Sequence, residues 1–269
     1  MIIDFHTHIF PDKIAKKTID YLAVKSSISP FSDGSVDGLL AEMERGGVDV
    51  SVALPVVTNP AQFDSVNRFA ADINTRFDNA SKSIISFAGI HPECDDIERK
   101  MEYISNAGFK GVKIHPDYQS TYITDDAYIK IFECAKELGL IVITHSGVDG
   151  GYRDCPVRCT PEMVRKVISR VPDVKLVLAH YGANEMFEDV FDMLCGENVY
   201  FDTAFVLRYV GAETFLKILQ KHGSDRILFA TDSPWSGMRE DIEIIRSFGL
   251  DKETEQKIFC DNARALLGI

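Results

Sequence analysis

The sequence predicts an α/β protein, a single (β/α)8 barrel of the TIM type with residues 1–269 forming one domain. Three observations predict it. Short apolar, β-branched segments recur along the chain, helical periodicity fills the intervals, and polar side chains gather where the strands would end. The segments are IIDFH at 2–6, VDVSVAL at 48–54, SIISFAGI at 83–90 and GVKIH at 111–115, then LIVITH at 140–145, VKLVLAH at 174–180, NVYFDT at 198–203 and RILFATD at 226–232. Their near-continuous apolar character suits parallel strands covered on both faces. Strands alternating with helices require right-handed crossovers, and eight such units fit a closed barrel better than an open sheet.

The intervals are justified in turn. Ile97, Met101 and Ile104 fall on one helical face, and Gly108 stands where a glycine would end that helix. Ile129, Phe132, Ala135 and Leu138 repeat the pattern before Gly139. Thr160 and Pro161 read as the N-cap and first position of a helix that buries Val164, Val167 and Val171. No low-complexity linker or internal repeat interrupts the series.

Composition narrows the function classes. With 269 residues, 45% of them apolar, the chain can bury a large core without disulfides or oligomerisation. A net charge of −12 repels phosphate backbones and anionic membranes, so no nucleic acid and no membrane is expected as a partner. A small anionic substrate stays admissible, because a bound metal and a few arginines reverse the local potential. No apolar run approaches the roughly 20 residues of a membrane span. The opening MIIDFHTHIFPDK lacks the pattern of a signal peptide, so a cytoplasmic location is expected. There Cys94, Cys134, Cys155, Cys159, Cys195 and Cys260 should stay reduced, with Cys155 and Cys159 read as a chance pair in a loop.

The polar residues follow a pattern that core packing does not ask for. Strand alternation sends His6 and His8 to the same side of the first strand. The fourth strand carries Lys113 and His115, the fifth ends in His145, the sixth in His180 and the eighth in Asp232. Each lies where the βα loops of a barrel build an active site. His91 follows the third strand, and His222, at a helix end, is read as a surface residue. A lone histidine ending a strand is more often a packing residue. Convergence of four histidines and an aspartate at one rim is different, because burying so many polar groups is costly unless a divalent cation joins them.

The stretches DFHTH, GVKIHPDY, ITHSG, LAHYG, FATDSPW and NARALLGI resemble the amidohydrolase superfamily, and within it the branch that includes aminocarboxymuconate-semialdehyde decarboxylase. The resemblance runs from residue 4 to residue 269, with its motifs in order. It implies a barrel with a catalytic divalent metal, usually Zn2+, held by His6, His8, His145 and Asp232. It also implies that His180 contacts substrate or assists proton transfer. In other branches a lysine on the fourth strand is carboxylated and bridges two ions. Lys113 is available for that, although one ion is the usual state of the branch resembled, and other divalent metals fit the same ligands. Members of the branch are often homodimers.

The chemistry is consistent with this. A metal lowers the pKa of bound water, Asp232 can carry the proton, and His180 can donate to a developing oxyanion. Asp4 either orients a ligand histidine or caps backbone. His115, Tyr118, Arg153 and Trp235 are candidate substrate contacts, with Tyr152, Arg158 and Arg208 also in rim loops and Asp202 and Thr203 as further rim residues. Three functions are compatible. The first is a metal-dependent hydrolase of a small carbonyl-containing substrate that uses metal-activated water. The second is a metal-dependent non-oxidative decarboxylase of an aromatic or muconate-like acid. The third is a non-catalytic metal-binding barrel. Hydrolysis is preferred, because no arginine is placed unambiguously to hold a departing carboxylate.

Overall fold

The computed structural model describes residues 1–78 and 82–269. Parallel strands β1 (Ile3–Thr7), β2 (Val50–Ala53) and β3 (Ser83–Ser86) pair in that order. The chain continues through β4 (Ala88–Gly89), β5 (Gly111–Ile114), β6 (Ile141–Thr144), β7 (Lys175–Leu178), β8 (Tyr200–Asp202) and β9 (Ile227–Leu228), again parallel and in chain order. Helices α1 (Ala15–Ser26), α2 (Val36–Gly46), α3 (Phe63–Arg76), α4 (Ile97–Asn106), α5 (Asp126–Leu138) and α6 (Pro161–Arg170) fill the connections. They are followed by α7 (Phe187–Met193), α8 (Ala212–His222), α9 (Met238–Ser247), α10 (Lys252–Gln256) and α11 (Asn262–Leu267). This is the (β/α)8 barrel the sequence predicts. Its edges are joined by backbone hydrogen bonds from Phe5 N to Phe229 O (2.9 Å), Asp232 N to His6 O (2.8 Å) and His8 N to Ser233 O (2.6 Å).

The third predicted strand is split at Phe87, between β3 and β4. The cause lies on α3, where Asn67 and Asn74 stand two turns apart on one face. The Asn74 amide both accepts from Ser86 N and donates to Ser86 O, and Asn67 does the same at Gly89. Side-chain amides thus take over backbone groups that a neighbouring strand would otherwise satisfy. The predicted helix signals are as read: Gly139 ends α5 at φ +69°, and the Thr160 hydroxyl accepts from Met163 N at the start of α6.

The barrel wall explains the depth of the rim residues. Ile141 and Ile143 precede His145 at alternate positions, and Leu228 and Ala230 precede Asp232 in the same way. These apolar side chains are fully buried and belong to one cluster with Val177. Alternation therefore sets an imidazole and a carboxylate directly above a dry floor. Among the described residues, no helix is long and apolar enough to cross a membrane.

Candidate active site

At the C-terminal ends of β1 and β9, three donor atoms face one another. His8 Nε2 lies 3.2 Å from His6 Nε2 and 3.0 Å from Asp232 Oδ1, and His6 Nε2 lies 3.4 Å from the same oxygen. The outer ring nitrogens fix the proton positions. His8 Nδ1 is 2.9 Å from the Leu54 carbonyl and His6 Nδ1 is 2.8 Å from Asp202 Oδ2, so both Nδ1 atoms donate and both Nε2 atoms are bare. Two imidazole lone pairs and a carboxylate oxygen then meet in a nearly closed space. With both rings neutral, none of the three donates to another, whereas a divalent cation would accept a lone pair from each.

Lys113, from β5, supplies the positive charge nearest this centre. It is 1% exposed, and its Nζ lies 3.1 Å from His6 Nε2. Burial lowers its pKa to about 8, against the pull of Asp202 and Asp232. Burial, with Lys113 beside it, also holds His6 far below the ordinary histidine range, so its imidazole is neutral and able to bind a metal. Asp202 is pushed up to about 6 by burial, opposed by His180 and Lys113.

His145 and His180 form the next layer. His180 Nε2 lies 2.9 Å from His145 Nδ1, and the His180 ring is 5.7 Å from that of His6. The loops that carry them are clamped together: Gly147 bridges Asn184, Asn184 N donates to Ser146 O, and Val148 N donates to Asn184 O. Gly147 has φ +83°, and a Cβ there would meet Asn184 N at 2.2 Å, so this close approach requires glycine. His180 and Asp232 are themselves bent into the left-handed region, each at φ +63°.

The remaining expected site residues are placed as follows. His115 stacks on His145 (4.2 Å between centroids) and on Tyr118 (3.8 Å), and its Nε2 faces Asp149 Oδ2 at 3.3 Å. Tyr118 in turn lies 5.3 Å from Tyr152, over which Lys25 is centred. Trp235 is half-buried, and its backbone N–H donates to the Asp232 carbonyl. Arg153 is exposed and ion-paired with Glu185. Arg158 lies at Asp117, and Arg208 covers the Phe31 ring.

Other residues take roles that the sequence reading assigned otherwise or left open. Asp4 caps backbone, accepting from His6 N, Thr231 N and the Thr231 hydroxyl, and burial raises its pKa to about 8. The carboxylate that orients His6 is Asp202, whose other oxygen accepts from His180 N and Ala204 N. Its place at the end of a predicted strand was the available signal. His91 accepts from Glu93 N and so serves the local turn. His222 is not a surface residue: it is 4% exposed, stacks on Phe201 at 4.0 Å and has both ring nitrogens bonded to backbone.

A parallel barrel that gathers these donors at its C-terminal rim has the architecture of a metal-dependent barrel enzyme. The chain belongs to the amidohydrolase family, whose model matches residues 3–269. No curated protein matches it significantly. Similar solved structures include a TIM-barrel protein from Bordetella bronchiseptica, with 18% identity and a TM-score of 0.76, covering 99% of this chain and 98% of that one. A 5-carboxyvanillate decarboxylase from Sphingomonas paucimobilis has 17% identity and a TM-score of 0.70, covering 100% and 99%. A dihydroxybenzoic acid decarboxylase from Polaromonas sp. JS666, solved with manganese and the inhibitor 2-nitroresorcinol, has 16% identity and a TM-score of 0.72, covering 99% and 96%. At these identities the likeness is one of fold.

Proposed function

We propose that this protein, acting as one domain over residues 1–269, is a metal-dependent, non-oxidative decarboxylase of an aromatic or similarly unsaturated carboxylic acid. The observation that carries this reading is the set of facing lone pairs at His6, His8 and Asp232 beside the buried Lys113, a setting matched to a cation and then to an anionic substrate. The named activities among the similar structures above are decarboxylations of hydroxylated benzoic acids, which favours this reaction over hydrolysis as the first choice. His115 and Tyr118, stacked on each other, with Tyr152 tilted beside Tyr118, add flat surface next to His145.

His6, His8, His145 and Asp232 are assigned to hold one ion, zinc or manganese, which when bound supplies a Lewis acid for substrate oxygens. Lys113 contributes fixed positive charge under the bound anion, in preference to carboxylation and a second ion. In the reaction the bond between the carboxyl and its carbon breaks, CO2 leaves, and a proton takes its place on that carbon. Asp232, with 12% of its side chain exposed, is assigned as the carrier of that proton, and His180 as the residue contacting substrate. Hydrolysis is the second reading, favoured by one observation: Arg153, Arg158 and Arg208 each already have a partner, which leaves Lys113 as the cation for a departing carboxylate.

The test is to load the protein with zinc or manganese and offer hydroxybenzoates and muconate-like acids alongside lactones and amides. CO2 release is followed, and the product formed in heavy water is checked for deuterium. The expected result is CO2 with one deuterium on the former carboxyl-bearing carbon. Turnover of a lactone or amide with no CO2 from any acid would replace decarboxylation by hydrolysis.

A further inference from the structure

Beside the proposed centre, two buried polar atoms on facing residues lack a hydrogen-bond partner: His145 Nε2 and Asp117 Oδ2. They lie 3.8 Å apart, on side chains 6% and 3% exposed. Leaving such atoms unpaired in a dry interior is costly, so the pair invites explanation. The protons of the neighbours supply it. His180 Nδ1 lies 3.0 Å from the Ala204 carbonyl, which can only accept, so in the neutral ring Nδ1 carries the proton and Nε2 is bare. His145 Nδ1, 2.9 Å from that bare nitrogen, must then hold the single proton of its ring. Its Nε2 is therefore bare as well, and it meets Asp117 lone pair to lone pair.

The other two histidines assigned to the metal are arranged differently. His6 and His8 each donate their outer N–H, to Asp202 and to the Leu54 carbonyl. Metal-binding histidines almost always have such an outer acceptor, which orients the ring and sets its tautomer. His145 has the acceptor in place but the proton on the wrong nitrogen. We propose that Asp117 is the positioning carboxylate for His145. When Nδ1 gives its lone pair to the cation, the ring proton resides on Nε2 and is donated to Asp117 Oδ2. One proton leaves Nδ1 and one arrives at Nε2, so the ring stays neutral, and both orphaned atoms gain a partner. Arg158, 3.5 Å from Asp117 Oδ1, holds the other oxygen of the carboxylate. The inference rests on the assignment of His145 as a ligand.

A competing use of these residues is a second cation site, since His115, His145 and Asp149 also approach within 4.8 Å. The proton positions argue against it. His115 Nδ1 accepts from Tyr118 N, so its Nε2 carries the proton and points it at Asp149, with no lone pair left for a metal.

The experiment uses full-length, zinc-loaded protein with 15N-labelled histidines, the His145 signals being assigned by their loss in His145→Gln. The expected spectrum has residue 145 protonated at Nε2; protonation at Nδ1 in the loaded protein would overturn the proposal. Zinc affinity, measured by competition with a chelator, should fall roughly 10- to 100-fold in Asp117→Asn and recover in part in Asp117→Glu. The melting temperature of metal-free Asp117→Asn should be at or above the wild-type value, because the new amide can donate to the bare His145 Nε2. Wild-type affinity in Asp117→Asn also overturns the proposal. Failure of the metal reading itself has a separate signature: wild-type protein that binds no zinc, or His8→Ala that binds it as tightly as wild type.

Discussion

Replacing Asp202 by Asn exchanges one atom and should cost the site a ligand. Asp202 Oδ1 accepts from His180 N at 2.9 Å and Ala204 N at 3.1 Å, so the oxygen of the new amide must keep that position. The amide nitrogen then faces His6 Nδ1 from 2.8 Å, where two donors would collide. His6 escapes by moving its proton to Nε2, and the lone pair it offers to the centre disappears. Loss of such an outer partner lowers metal affinity roughly 10- to 100-fold, which is about 1.4 to 2.8 kcal/mol. Competition against a coloured chelator measures this directly, with urea unfolding of the metal-free variant as the control for folding. Asp202→Ala should differ, because it leaves two buried N–H groups unsatisfied and so destabilises the metal-free fold by about 1–3 kcal/mol for each. Wild-type metal affinity in Asp202→Asn would refute the tautomer reasoning.

Two further perturbations address the rest of the molecule. Burial, with Arg226 nearby, lowers the His222 pKa to about 4, so the fold holds this ring neutral while the unfolded chain protonates it near 6.5. Stability from this residue is present above pH 6.5 and is lost as pH falls towards 4, a change of roughly 3 kcal/mol. Urea unfolding of wild type and His222→Gln between pH 4 and 8 should show their difference shrinking in acid; a difference independent of pH would contradict this. Among the cysteines, Cys155 is exposed, Cys195 is half-buried and the others are buried, with burial pushing Cys159 up to about 12 and Cys195 to about 11. A thiol reagent at pH 8 should therefore label one cysteine quickly, and Cys155→Ser should remove that fast phase.

The rim positions of His6, His8, His145, His180 and Asp232 are legible in the sequence because each ends an apolar segment, and alternation within a strand is a local property. Lys113 is legible in the same way. What local pattern does not reveal is partnership across the barrel. Asp202 stands 196 residues from His6, and nothing near it in the chain shows whether its carboxylate turns inward. Asp117 continues the alternation of Lys113 and His115, yet it lies beyond the end of β5, where alternation loses its meaning. The split of the third strand is imposed by asparagines on a helix, and SIISFAGI alone reads as one strand. His222 sits after Lys221 at a helix end, a context that suggests solvent, but the end of α8 packs its ring against Phe201. Arg153 illustrates the reverse case, a loop cation whose partner, Glu185, lies on another loop.

The left-handed backbone at His180 and Asp232 has a consequence for how this protein tolerates change. Side chains other than glycine are uphill in that conformation by roughly 1–2 kcal/mol, so a chain tuned for robustness alone would place glycine at both corners. Here an imidazole and a carboxylate occupy them, and the corners are points where durability yields to chemistry. Glycine at position 232, whose carboxylate faces two imidazole lone pairs, should raise the melting temperature of the metal-free protein while activity falls. Most damaging substitutions lower both together, so an inverse response can separate residues that serve the reaction from residues that serve the fold.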